Sequence, residues 1–191
     1  MSYMHSLNLM LQNPSGIDKI AAILVNVARL DPASSKSTAQ LVSMLNEFRC
    51  ILRLPGLYKL IVNFRKDSSP ETYMSNAINI GYYVTEGLAF LGGKQIISIS
   101  KPLEDKLWLW SSRFWLLDTL LTIYQLLREK TEDEKEHQLD LASNLASLPL
   151  CIHWSVENGA GLHKHQIGVL GLFSAIVQTR KLILSLHNKR A

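Results

Sequence analysis

The sequence predicts an all-α protein that associates with a membrane, with an amphipathic interfacial helix in its N-terminal part and hydrophobic helices toward the C-terminus. Three observations carry this. Apolar residues recur at intervals of three and four over long stretches, the period of a helix with one apolar face. No stretch alternates apolar and polar residues as a half-buried strand would. Charged residues make up 19% of the 191, and mean hydropathy lies just above zero. That balance is apolar for a water-soluble chain yet short of a polytopic membrane protein. About five to seven helices are expected in one domain, residues 1–191, long enough for a substantial core. It divides into an amphipathic part (1–66), central apolar helices (73–129) and C-terminal hydrophobic helices (138–187).

Residues 3–12 read as a short helix stopped by Pro14. Ser15, with Asp18 three positions on, reads as the N-cap of the next helix. There Ile17, Ile20, Ala21, Leu24, Val27 and Ala28 share a face until Asp31-Pro32 ends it. An Ala-Ser-Ser-Lys-Ser loop leads to the stretch around which the chain is organised, residues 41–66. Leu41, Met44, Leu45, Phe48, Ile51 and Leu52 lie on one face, flanked by Arg49 and Arg53. Pro55-Gly56 should then interrupt the helix, because proline lacks the amide donor and crowds the residue before it. Leu57, Leu60, Ile61 and Phe64 make a second stripe, with Lys59, Arg65 and Lys66 off it. Between Leu45 and Lys66 five basic residues stand against Glu47, an excess of four that equals the formal charge of the whole protein.

A basic amphipathic helix has two readings. In a bundle it packs its stripe inward and its cations are merely solvated. At a membrane it lies apolar face down, with cations drawn to anionic headgroups. On the second reading Phe48, Arg49, Ile51, Leu52, Arg53, Lys59, Arg65 and Lys66 bind an anionic phospholipid membrane.

The segment from Lys66 to Glu71 is the next break. From Tyr73 to Leu91 the chain is apolar except for Asn76, Asn79, Thr85 and Glu86. Gly92-Gly93-Lys94 closes it as a helix stop, since no Gly-Lys-Ser/Thr follows to make a phosphate loop. Leu103 to Glu129 is the strongest helix. Ser111, Asp118, Thr122, Gln125 and Glu129 form a narrow polar stripe, and Trp108, Trp110 and Trp115 crowd its first turns. Arg113 and Asp118 argue against a simple bilayer span. The charged run 130–137 reads as an exposed loop or helix extension. Leu139 to Val156 returns to apolar helix, bent or ended near Pro149, and Glu157 to Gly161 is a turn. Gln166 to Thr179 carries no charge but falls short of the about twenty residues a span needs. Reaching Leu186 would require Arg180 and Lys181 to snorkel. Gly168, Gly171 and Ala175 offer a small-residue face for close helix packing.

No catalytic constellation is present: there is neither a Gly-x-Ser-x-Gly elbow nor a His-Glu-x-x-His pair. Cys151-x-His153 with His163-x-His165 is the one metal-like grouping, and its spacing fits a zinc site poorly. Neither enzyme activity nor a cofactor or metal is expected. Cys50 reads as a small space-filler, and two cysteines make no disulfide framework. A pI near 9.1 suits anionic partners, but the cations are scattered among apolar runs without a nucleic-acid motif, so no nucleic acid is expected. The N-terminus lacks a secretory signal and the C-terminus HNKRA is not a Ser-Lys-Leu address, so the chain reads as made in the cytosol and placed afterwards.

Five segments resemble the peroxin-eleven family, membrane proteins that elongate and divide peroxisomes. Gly16-Ile17-Asp18-Lys19 is similar to that family's Gly-Arg-Asp-Lys opening. Phe48-Arg49-Cys50-Ile51-Leu52-Arg53-Leu54 is similar to its Arg-Lys-x-x-Arg-Leu-Gly-Lys amphipathic segment. Arg113 to Leu117 through Tyr124 to Arg128 resembles its central aromatic helix, and Leu145 to Trp154 its Asp-Leu-Pro-x-x-x-His helix. Gly168 to Ala175 resembles its closing Gly-x-x-Gly-x-x-Ser segment. The order is kept over nearly the full length. Ile17 replaces the usual arginine, and Pro55-Gly56 stand where the family tends to have Gly-Lys. The resemblance implies a protein of the peroxisomal (or glycosomal) membrane whose amphipathic helix enters the cytosolic leaflet and bends it. It also implies self-association and recruitment of fission machinery, a dynamin-like GTPase and its adaptors. Two other functions compete. One is a small-metabolite pore, with Glu86, Arg113 and Asp118 facing a lumen, and the other is a soluble helical adaptor.

Overall fold

Proline costs nothing in the first turn of a helix, where its missing amide would be unpaired anyway, and among the described residues Pro14, Pro70 and Pro102 all stand there. In the computed structural model, which describes residues 3–31, 35–64, 69–128 and 134–188, helix α1 (Tyr3–Leu11) is followed by α2 (Pro14–Leu30), opened by Pro14 itself. The N-cap is therefore Asn13, whose side chain accepts a hydrogen bond from the Ser15 amide at 3.0 Å, and not Ser15 as the capping pattern suggested. Helix α4 (Pro70–Gly93) starts the same way, with Ser69 Oγ accepting from the Thr72 amide at 3.1 Å. The remaining helices are α3 (Lys36–Asn63), α5 (Lys101–Arg128), α6 (Glu134–Ser155) and α7 (Lys164–Asn188). Among the described residues there are seven helices and no strand, which is the all-α class expected. Arg65, Lys66, the loop residues 32–34 and residues 129–133 of the charged run and its approach lie outside the described residues.

The expected break at Pro55-Gly56 does not occur. Helix α3 runs through Pro55 for 28 residues, and α6 likewise runs through Pro149. Proline removes one hydrogen bond from a helix, and the many that remain hold it. Packing helps: a Cβ at Gly56 would sit 3.4 Å from the Tyr83 hydroxyl, and Leu54 lies beside Gly87.

The chain forms two compact units, each discontinuous in sequence. The first comprises Met1–Leu52, Thr131–Ser147 and His163–Ala191. Its centre is the pair α2 and α7. Gly168 and Gly171 let the helices approach closely: a Cβ at Gly168 would come within 2.8 Å of Leu30, and one at Gly171 would collide with the Asn26 side chain. Ala175 is buried beside them. Met10 and Val25 are fully buried. Ser147 and Ser174 share a hydrogen bond of 2.7 Å in the interior, joined by Ser143 at 3.2 Å. Arg180 pairs with Glu136 and Lys181 with Asp140, so both cations of α7 are held by α6.

The second unit comprises Arg53–Lys130 and Leu148–Leu162. Here α4 packs along α5, with Gly81 against the Phe114 ring. Much of the interior is polar. Asp118 accepts from Asn79 Nδ2 at 2.7 Å and from Ser75 Oγ at 3.3 Å. Arg113 Nε donates to the Ser155 carbonyl at 3.4 Å, and Thr119 Oγ1 lies 3.3 Å from Cys151 Sγ. Among the described residues every buried side-chain nitrogen and oxygen has a partner.

Candidate membrane-facing surface

Helix α3 begins with Ser35 Oγ accepting from the Thr38 amide, and its first apolar stripe follows at spacings of three and four. Leu41, Met44, Phe48 and Ile51 are all exposed, Met44 by 60% and Phe48 by 43%. Leu45 and Leu52 are half-buried at the edge of that stripe. The stripe thus points away from the protein, which a helix packed by its apolar face would not do. Beyond Pro55, Tyr58, Ile61 and Val62 are exposed as well, and Lys59 is exposed beside them.

The arginines go the other way. Arg49 Nε donates to Asp18 Oδ1 at 2.9 Å, with both side chains mostly covered. Arg53 pairs with Glu86, which also accepts from Tyr82 Oη at 2.8 Å, and its guanidinium lies 5.8 Å from the Tyr82 ring centre. Phe48, Ile51 and the two arginines therefore do not form one surface. The phenylalanine and isoleucine are outside, and Arg49 and Arg53 are turned to carboxylates 31 and 33 residues away in the chain.

Helix α5 shows the same inversion, which the sequence left unread. Its expected polar stripe turns inward, with Ser111 buried and Asp118 half-buried, and Thr119 is buried with them. Trp110, Leu117, Leu120, Tyr124 and Leu127 are exposed. In α7, Val169, Phe173, Ile176 and Leu184 are exposed while Gly168, Ser174 and Ala175 are buried. Single exposed leucines are ordinary in water-soluble proteins; buried polar groups opposite rows of exposed large apolar ones are not. The signal available in the sequence was the narrowness of the polar stripe in α5, which is too thin to serve as a solvated face.

Burial shapes the chemistry of the second unit. It raises the Asp118 carboxyl above its ordinary value, against the opposing hydrogen bonds from Asn79 and Ser75. It pushes the Cys151 thiol up to about 12, so this cysteine is no nucleophile at neutral pH. In the first unit burial, and then the charge of Arg49, lowers the pKa of Arg29. His153 Nδ1 accepts from the amides of Ala160 at 2.9 Å and Leu162 at 3.4 Å, closing the loop after α6. No group of three metal-ligating side chains is found among the described residues. Glu86, Arg113 and Asp118, the trio considered for a lumen, each bond to a neighbour within the second unit. Lys164–Leu186 is the one helix among the described residues long and apolar enough to cross a membrane by length and composition. No family model matches the chain, and no solved structure matches it either.

Proposed function

We propose that this is a membrane-shaping protein that inserts one side of α3 into the outer leaflet of the peroxisomal membrane and so elongates the organelle before division. The observation that carries the insertion is the exposed row Leu41, Met44, Phe48 and Ile51. An apolar helix face laid about 5–10 Å into the headgroup boundary expands one leaflet more than the other, and the bilayer bends. Support comes from the outward apolar rows of α5 and α7, from the internally paired polar groups, and from the length of α7. Polar groups satisfied inside and large apolar groups outside is the arrangement a bilayer favours. The peroxisomal setting, self-association and the recruitment of a dynamin-like GTPase rest on the resemblance to the peroxin-eleven proteins. Met44→Glu with Phe48→Glu tests the proposal in cells that contain peroxisomes. Both positions are exposed, so helicity and thermal stability should change little. Peroxisome elongation on overexpression should be lost, and normal elongation with both charges in place would reject the mechanism.

A further inference from the structure

A half-buried cation is costly to the fold unless something nearby carries the opposite charge. In the first unit Arg49 pairs with Asp18 and Arg180 with Glu136, whereas among the described residues no carboxylate pairs with the half-buried Arg29. Its guanidinium turns back along α2, where Nη1 donates to Asn26 Oδ1 at 3.1 Å. Asp31, the nearest carboxylate along the chain, accepts from the Thr38 hydroxyl at 3.5 Å. Asn26 is itself fixed. Its Nδ2 donates to the Ala22 carbonyl at 2.9 Å, and Gly171 lies so close that a Cβ there would come within 2.4 Å of Oδ1. Gly168 brings α7 against the stem of the arginine, since a Cβ at that position would lie 3.2 Å from Arg29 Cβ. The guanidinium is thus held in place with most of its N–H donors unused by the protein. Those donors are not sealed in: among the described residues no buried side-chain nitrogen lacks a partner, so the unused ones open on the surface. Burial and then the like charge of Arg49 lower the pKa of Arg29, which marks a local excess of positive charge.

We propose that Arg29, positioned by Asn26 where α2 packs on α7, is the recognition residue of a phosphate-binding site. A planar guanidinium meets two phosphate oxygens at once, and a bound phosphate supplies the counter-charge that the fold withholds from Arg29. The phosphate group belongs either to a lipid headgroup or to phosphate in solution, and the chemistry of recognition is the same for both. The site uses α2 and not the exposed row of α3, so it stands or falls separately from membrane insertion.

The test follows the melting temperature of the full chain in dodecyl maltoside, a detergent without phosphate. Inorganic phosphate, compared with chloride at equal ionic strength, should raise it by about 2–4 °C once phosphate is several-fold above its dissociation constant. Each variant is compared with itself in the two salts, so a general loss of stability does not move the reading. Arg29→Gln should lose the rise, and Arg29→Lys, which keeps the charge without the fork, should lose most of it. Arg128→Gln, which removes an exposed cation from the second unit, should keep it in full. Phosphatidic acid doped into the micelles separates the two sources. A rise at lipid concentrations where inorganic phosphate gives none assigns the site to a headgroup, and a rise with inorganic phosphate alone assigns it to phosphate in solution. A rise that persists in Arg29→Gln, or no rise with either probe, would overturn the site.

Discussion

A carboxylate half-buried between two helices weighs against the fold when it is ionised, even with its lone pairs filled. Asp118 is such a group: burial raises its pKa although Asn79 and Ser75 donate to it. Because the folded value lies above the unfolded one, the stability it contributes is fully present below the ordinary carboxylate value and is lost as pH rises through the raised one. Asp118→Asn keeps an oxygen acceptor for Asn79 and Ser75 and removes the charge. The melting temperature at pH 7 should rise, and the gap to the wild type should close as pH falls toward the ordinary carboxylate range. A lower melting temperature at pH 7 would mean that the donors need the full negative charge. Legibility at this scale was uneven. That Asp118 belongs to a polar stripe on an apolar helix follows from residue spacing. That Arg49 meets Asp18 and Arg53 meets Glu86 does not, because partners so distant in sequence are chosen by packing. Reversing Arg49 and Arg53 therefore attacks two ion pairs, while the exposed Met44 and Phe48 can be charged without touching the interior.

At the scale of the element, helix α3 is continuous where a break was expected. Proline disfavours a helix by about 3 kcal/mol relative to alanine, which outweighs any single propensity in the segment. That cost is local. It is offset here by the ion pair of Arg53 two residues before and by contacts of Leu54 and Gly56 with α4. Pro55→Ala should therefore restore one backbone hydrogen bond and raise unfolding stability by up to about 3 kcal/mol. Far-UV circular dichroism should show almost no added helix, since the residues on both sides are already helical. A gain worth a turn or more would show that Pro55 does interrupt the helix. The caps of α2 and α4 teach a related lesson. Proline reads as a stop after one helix and serves equally as the first residue of the next, and a polar residue immediately before it does not tell the two apart, since Asn13 and Ser69 cap a following helix while Asp31 closes a preceding one.

For the whole molecule, rows of exposed apolar side chains on α3, α5 and α7 predict behaviour that no single site controls. Membranes carrying the native chain should retain it in the pellet after alkaline carbonate, which strips proteins held by charge alone. Full release into the supernatant would remove the membrane reading of α7 and α5 together and leave a peripheral protein held by α3 alone. The sequence by itself determined the all-α class, the approximate placing of the helices, the apolar stripe of Leu41, Met44, Leu45, Phe48, Ile51 and Leu52, and the small residues of α7. Each of these follows from spacing within one segment, where helical periodicity and side-chain size are enough. Only the tertiary structure decided which way each face turns. A helix with a thin polar stripe can bury it or bare it, and the choice depends on partners such as Asn79 for Asp118 and Glu86 for Arg53. Those partners come from other segments, and a local pattern carries no record of them.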